Sequence, residues 1–143
     1  MAIVQVPSAA TGLTSASSTV ATSQTTTANT SYTDLATSGP AVTLTTGTKV
    51  LVIVSHYAKT GQSNRSANMD FAISGATTRS ASDTTALFFD QSGSTDNWLA
   101  ASRANVVTVT AGSNTFTAKY KVGGGSATAT FADRSIIVID LGS

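Results

Sequence analysis

"NTFTAKYKVGGGSATATFADRSIIVIDL", Asn114 to Leu141, is the stretch on which the fold turns. Phe116, Ala118, Tyr120 and Val122 occupy one parity, and Thr115, Thr117, Lys119 and Lys121 the other. In an extended chain successive side chains point to opposite faces, so this is a strand with one apolar face and one polar face. Gly123-Gly124-Gly125 then turns the chain, and Ala127, Ala129 and Phe131 resume the alternation against Thr128 and Thr130, which reads as a hairpin. The closing run "SIIVID" is apolar at both parities, as expected of a strand in the middle of a sandwich or at a subunit contact.

The same grammar extends upstream. "SYTDLATSGPAVTLTTGTKVLVIVSHYA" supplies a strand around Tyr32 to Leu35, a turn at Gly39-Pro40, a strand from Ala41 to Thr45, and a Val50 to Val54 run expected to be buried on both faces. In "ANMDFAIS", Met69, Phe71 and Ile73 share one face, while Asn68, Asp70 and Ala72 share the other and should meet solvent or a partner. "ALFFD" and "WLAASRANVVTVT" add two more strands between polar loops. Roughly eight to ten strands separated by turn signals, with no convincing helix, make an all-β chain. The expected architecture is a β-sandwich of the jelly-roll kind over residues 22–143, preceded by an extended N-terminal arm over residues 1–21.

Composition narrows the function classes. Of 143 residues only 10% are charged, against about 25% in an average domain, and the net charge is +1. Thr, Ser and Ala make up roughly half the chain, and every acidic residue is Asp. Without a basic stripe there is no field for a phosphate backbone, so no nucleic-acid partner is expected. The absence of Cys removes disulfides and thiolate chemistry, leaving packing, hydrogen bonds and oligomer contacts to hold the fold. No apolar run approaches the roughly 18 residues of a membrane span, and the opening "MAIVQVPSAATG" lacks a basic region followed by a long hydrophobic stretch; no membrane partner and synthesis in the cytoplasm are the expectation.

Candidate chemistry is sparse. His56 is the single histidine and follows Val52 and Val54 in parity, which makes it a satisfied structural residue before it is a metal ligand or a general base. Asp83, Asp90 and Asp96 fall in loops or at strand ends; they would have to converge as an acid–base pair or a calcium site, and Asp is also a common turn residue. "GGGS" at Gly123 to Ser126 lacks the Lys and helix of a phosphate loop. Trp98, Tyr57 and Phe88 would form a sugar-stacking platform if the fold brought them together, and core packing explains them equally well. No catalytic residue, metal site or cofactor is assigned.

The motifs "SYTDL" (Ser31 to Leu35), "GSNTFTAKY" (Gly112 to Tyr120) and "RSIIVI" (Arg134 to Ile139), in that order, resemble a family of small virion proteins of tailed bacteriophages, over about Thr22 to Leu141. Members of that family serve as tail-fibre domains or as small stand-alone structural proteins. The resemblance implies a trimeric jelly roll of the tumour-necrosis-factor-like kind, and it brings no catalytic signature. The short arm, with no coiled-coil heptads ahead of the domain, moves the expectation from a fibre toward a capsid decoration (cement) protein on the surface of the virion. Its partners would be the major capsid protein and two further copies of itself, and an apolar-tipped arm carrying Ile3, Val4 and Val6 would seat along the shell by strand addition. The alternative is a tail-fibre tip or receptor-binding protein, whose loops Lys59 to Ala67 and Gly75 to Thr85 would recognise a host glycan or surface protein. A glycan depolymerase using an Asp pair is the weakest of the readings.

Overall fold

The computed structural model describes residues 13–91, 93 and 95–142. Nine strands run through them: β1 (Ser15–Val20), β2 (Gln24–Thr26), β3 (Ala41–Thr46), β4 (Lys49–Thr60), β5 (Arg65–Gly75), β6 (Leu87–Gln91), β7 (Leu99–Thr108), β8 (Gly112–Gly123) and β9 (Ala129–Gly142). They form two antiparallel sheets packed as a β-sandwich. One sheet, here sheet A, has the order β1-β9-β4-β7 with β2 also on β9; the other, sheet B, has the order β3-β8-β5-β6. The pairings nest about the middle of the chain: β5 with β6, β4 with β7, β3 with β8, and β1 with β9.

Parity in the long strands decides what faces inward. On β4, Val50, Val52, Val54, His56 and Ala58 are buried and meet Phe131, Ile136 and Val138 of β9 along the inner face of sheet A. Phe116, Ala118, Tyr120 and Val122 of β8, with Met69, Phe71 and Ile73 of β5, supply the facing layer. Each Val, Ile, Met or Phe side chain among them contributes about 1.5–3 kcal/mol by leaving water. The alternation read in Asn114 to Val122 is thus present, with Thr115, Thr117, Lys119 and Lys121 on the outer side.

Four local expectations are corrected. Gly123 to Ser126 does not close a hairpin: β8 is already paired on both sides by β3 and β5, so the chain crosses to sheet A, where β9 is flanked by β1 and β4. Gly124 and Gly125 adopt φ of 79° and 60°, and a side chain at Gly125 would meet the Arg65 guanidinium at 2.9 Å. The Tyr32 to Leu35 segment is no strand; it touches sheet B through one bridge, Thr33 to Tyr120, with reciprocal 2.9 Å backbone bonds. On β4 the second face is not buried, since Leu51 and Ile53 remain partly exposed.

The fourth correction concerns β5. Asn68 and Asp70 sit on the outer side of sheet B, yet they are 1% and 0% exposed, and the connection 76–86 folds back over Asp70. Asp70 accepts hydrogen bonds from the Ser82 amide at 2.7 Å and the Thr85 hydroxyl at 3.0 Å, and it pairs with Arg79 at 3.0 Å. Arg79 also donates to the Phe71 carbonyl and lies 4.2 Å from the centre of the Phe71 ring.

Of the expected arm, 1–21, the described portion from Ser15 to Val20 is β1 itself, in register with Arg134 to Ile139. Ile3, Val4 and Val6 lie outside the described residues. Behind β1, the fully buried Arg134 donates to Gln24 Oε1 at 3.0 Å and reaches the Thr22 and Gly39 carbonyls at 3.4 Å. Its guanidinium lies 5.2 Å over the Tyr120 ring, whose hydroxyl donates to the same Gly39 carbonyl at 2.9 Å. One cation thereby ties the segment 22–40 to the core.

Candidate functional site

The outer face of sheet A is a lattice of side chains in rows. Register places Val106, Leu51 and Ile139 side by side, with Ser15 at the end of the row. The next row is Ala104, Ile53, Ile137 and Ser17, and the third is Ser102, Ser55, Ser135 and Thr19. Val106 is 66% exposed, and the Ser55 and Ser135 hydroxyls bond each other at 2.5 Å. None of the twelve positions carries a charge. Lys49, Lys59 and Asp133 stand at the margins. Strands with core-quality residues on one face and aliphatic residues on the other follow directly from the "LVIV" and "IIVI" runs.

At one end of this face Tyr57 stacks on Trp98, with ring centres 4.9 Å apart and planes inclined by 22°. Lys59 lies 5.4 Å above the Trp98 ring and pairs with Asp96 at 2.8 Å. Phe88 does not join them; it belongs to β6 in sheet B. The proposed three-ring platform is therefore a pair. Beside it a shallow depression of about 580 Å³ is lined by Ser55, Tyr57, Ala100, Ser102 and Asp133.

His56 also borders that depression, but its side chain is 2% exposed and stands edge-on to Phe131 at 5.4 Å. Among the described residues neither ring nitrogen has a hydrogen-bond partner, so the expected satisfied histidine is buried but not satisfied. Burial lowers its pKa to about 4, which holds the ring neutral near pH 7. Among the described residues no three His, Cys, Asp or Glu side chains gather closely enough to hold a metal ion.

The outer face of sheet B has the opposite character. A depression of about 510 Å³ opens between the segment Thr30 to Tyr32, the loop Ser80 to Asp83 and the outward residues Ala72, Lys119 and Lys121. The Tyr32 hydroxyl donates to Asp83 at 2.8 Å, and Lys121 Nζ stands 2.8 Å from both oxygens of the same carboxylate. Lys119 pairs with Asp34 at 2.7 Å, and Lys121 lies 5.0 Å over the Tyr32 ring. Hydrogen bonds from Lys121 and then Tyr32 hold the Asp83 carboxyl below its usual range. Burial, followed by the bond to Asp83, raises the Tyr32 phenol well above its own, so it remains a donor.

The three acidic candidates do not share a site. Asp83 belongs to the sheet B depression, Asp96 to the Lys59–Trp98 corner, and Asp90 to the end of β6 opposite Ser66. Sequence reasoning missed the burial of Asp70 and Arg134, the two buried charges among the described residues. For both the available signal was a charged residue well inside a long strand rather than at its end.

Scanned against protein-family models the chain matches none, and a search of curated proteins gives no match.

Proposed function

We propose that this chain is a non-enzymatic bacteriophage virion protein, a capsid decoration protein that assembles as a homotrimer and stabilises the shell by bridging the major capsid protein. The observation that carries the reading is the uncharged outer face of sheet A, with Leu51, Ile53, Ile137, Ile139 and Val106 in two adjacent rows. Contiguous aliphatic area of this kind, exposed at Val106 and only partly covered at Leu51, Ile53, Ile137 and Ile139, marks a protein contact. A second copy is the occupant the face suits best. In a closed trimer the contact is heterologous, so this face would pack against a different surface of the next copy, and being uncharged it brings no like-charge repulsion to that contact.

The nested strand pairing supports a jelly roll beneath this assembly, since a single long antiparallel pair wound into two sheets produces that order. Binding that exists only for the assembled shell would stabilise it in proportion to the logarithm of the decorating protein's concentration over its dissociation constant. An arm seated along the shell, with Ile3, Val4 and Val6 as its apolar tip, completes the proposal.

Light scattering during size-exclusion chromatography tests the self-association. The wild-type chain is expected at three times 14.4 kDa, and Val106→Asp, which places a carboxylate at the exposed β7 end of the apolar row, at one times that mass. Copy number per virion, against the major capsid protein, tests the location: on the order of hundreds puts the chain on the shell, and a few tens or fewer puts it on the tail. A monomeric wild type with Val106→Asp unchanged refutes the interface.

A further inference from the structure

We propose that the depression on the outer face of sheet B is a binding site for a short neutral saccharide of one or two pyranose rings, with Tyr32, Asp83, Lys119 and Lys121 as its hydrogen-bonding floor. The site lies within one chain and on the sheet opposite the apolar face, so it stands whether or not the trimer does.

Charge accounting selects the ligand class. Each lysine in the depression already faces a carboxylate, Lys119 with Asp34 at 2.7 Å and Lys121 with Asp83 at 2.8 Å, so the floor is electrically balanced. A phosphate or carboxylate ligand would have to set a further negative charge beside Asp34 and Asp83 or displace one of them from its lysine. A sugar hydroxyl need not: it donates to a remaining lone pair of Asp83 and accepts from an unused ammonium proton, leaving both ion pairs intact. Hydroxyls of Thr30, Ser31, Ser80 and Ser82 line the rim, and Ala72 and Ala81 provide the small apolar contacts that the C–H face of a pyranose requires. About 510 Å³ accommodates one or two such rings.

The walls are fixed before any ligand arrives. Asp70 pins the loop through Ser82 and Thr85, the Thr33–Tyr120 bridge pins the segment that bears Tyr32, and Lys119 and Lys121 project from a central strand. A site assembled on a sheet and on two tethered connections loses little conformational freedom when it binds.

The test is a titration of the full chain, followed through backbone amide NMR shifts. The probes are the methyl glycosides of glucose, galactose, mannose and N-acetylglucosamine with their β1,4-linked disaccharides, and inorganic phosphate as the anionic probe, each to about 50 mM. At least one sugar is expected to give saturable shifts centred on Thr30 to Tyr32, Ser80 to Asp83 and Lys119 to Lys121. Tyr32→Phe, which keeps the ring, and Asp83→Asn are each expected to weaken that binding about tenfold. An undisturbed amide spectrum away from the depression shows that each variant is folded. Shifts with phosphate and with no sugar, sugar-induced shifts centred on Tyr57 and Trp98, or no saturable shift with any sugar each overturn the proposal.

Discussion

Replacing Asp70 with alanine removes a carboxylate that is 0% exposed and holds three parts of the 76–86 connection at once. Its oxygens receive the Ser82 amide at 2.7 Å, the Thr85 hydroxyl at 3.0 Å and the Arg79 guanidinium at 3.0 Å. Breaking a buried ion pair by deleting one member costs about 3–5 kcal/mol, because the other charge is left without compensation. Here the Arg79 side chain is 19% exposed and retains the Phe71 carbonyl and ring, so the loss belongs at the lower end, about 3 kcal/mol. With an unfolding entropy of about 2.1 cal/mol/K per residue over 143 residues, that corresponds to a fall in Tm of about 10 °C. Asp70→Asn keeps an acceptor for Ser82 and loses the charge, and should fall between wild type and alanine.

Two assays read the effect. Thermal melting followed by circular dichroism gives the shift in Tm. Limited trypsin digestion asks about the loop itself, since the backbone at Arg79 is held in wild type by reciprocal bonds to Ile73 at 2.9 and 3.0 Å. Asp70→Ala should expose the bond after Arg79 to cleavage well before global unfolding. A variant that melts within about 3 °C of wild type, with Arg79 no more susceptible, refutes the idea that this carboxylate anchors the loop.

Acid should weaken the fold through His56. Its folded pKa of about 4 lies below the ordinary 6.5, so the unfolded chain binds the proton more readily; the contribution is complete above pH 6.5, and about 2 kcal/mol of it is gone by pH 5. Urea denaturation at pH 7 and pH 5 should show that loss in wild type and a smaller one in His56→Leu, and equal pH dependence in the two proteins would contradict the assignment. Deleting residues 1–12 removes Ile3, Val4 and Val6 and should lower the affinity for capsids; full-affinity binding by the truncated chain would sink the arm's proposed role.

What the sequence discloses is what a strand's own period controls. Phe116 to Val122 could be assigned to the core because a two-residue repeat fixes both faces locally, and "SIIVID" showed its two apolar faces for the same reason. What failed depends on partners distant in the chain. Gly123 to Gly125 looks like a hairpin until the second edge of β8 proves to be taken by β3, some seventy positions earlier. Asp70 looks solvated until a connection that begins beyond the strand returns to cover it. The Tyr32–Asp83–Lys121 cluster joins three segments whose only sequence signal is a scattering of polar residues.

The charges of a chain that carries few are unevenly placed, and that distribution links the two proposals. Arg79–Asp70, Lys119–Asp34 and Lys121–Asp83 all stand on the outer side of sheet B, whereas the three central rows of sheet A carry none. Charged groups resist desolvation far more strongly than hydroxyls or aliphatic carbon, so a face cleared of charge can be covered at low cost and a face crowded with ion pairs cannot. Assembly through sheet A would therefore leave sheet B toward solvent, its saccharide depression open on every copy. Three weak sites presented together gain by multivalency what each lacks alone, provided their spacing lets one extended glycan or one surface engage them at once. Val106→Asp separates these contributions: it should abolish any avidity toward a multivalent sugar surface while leaving the single-site titration unchanged.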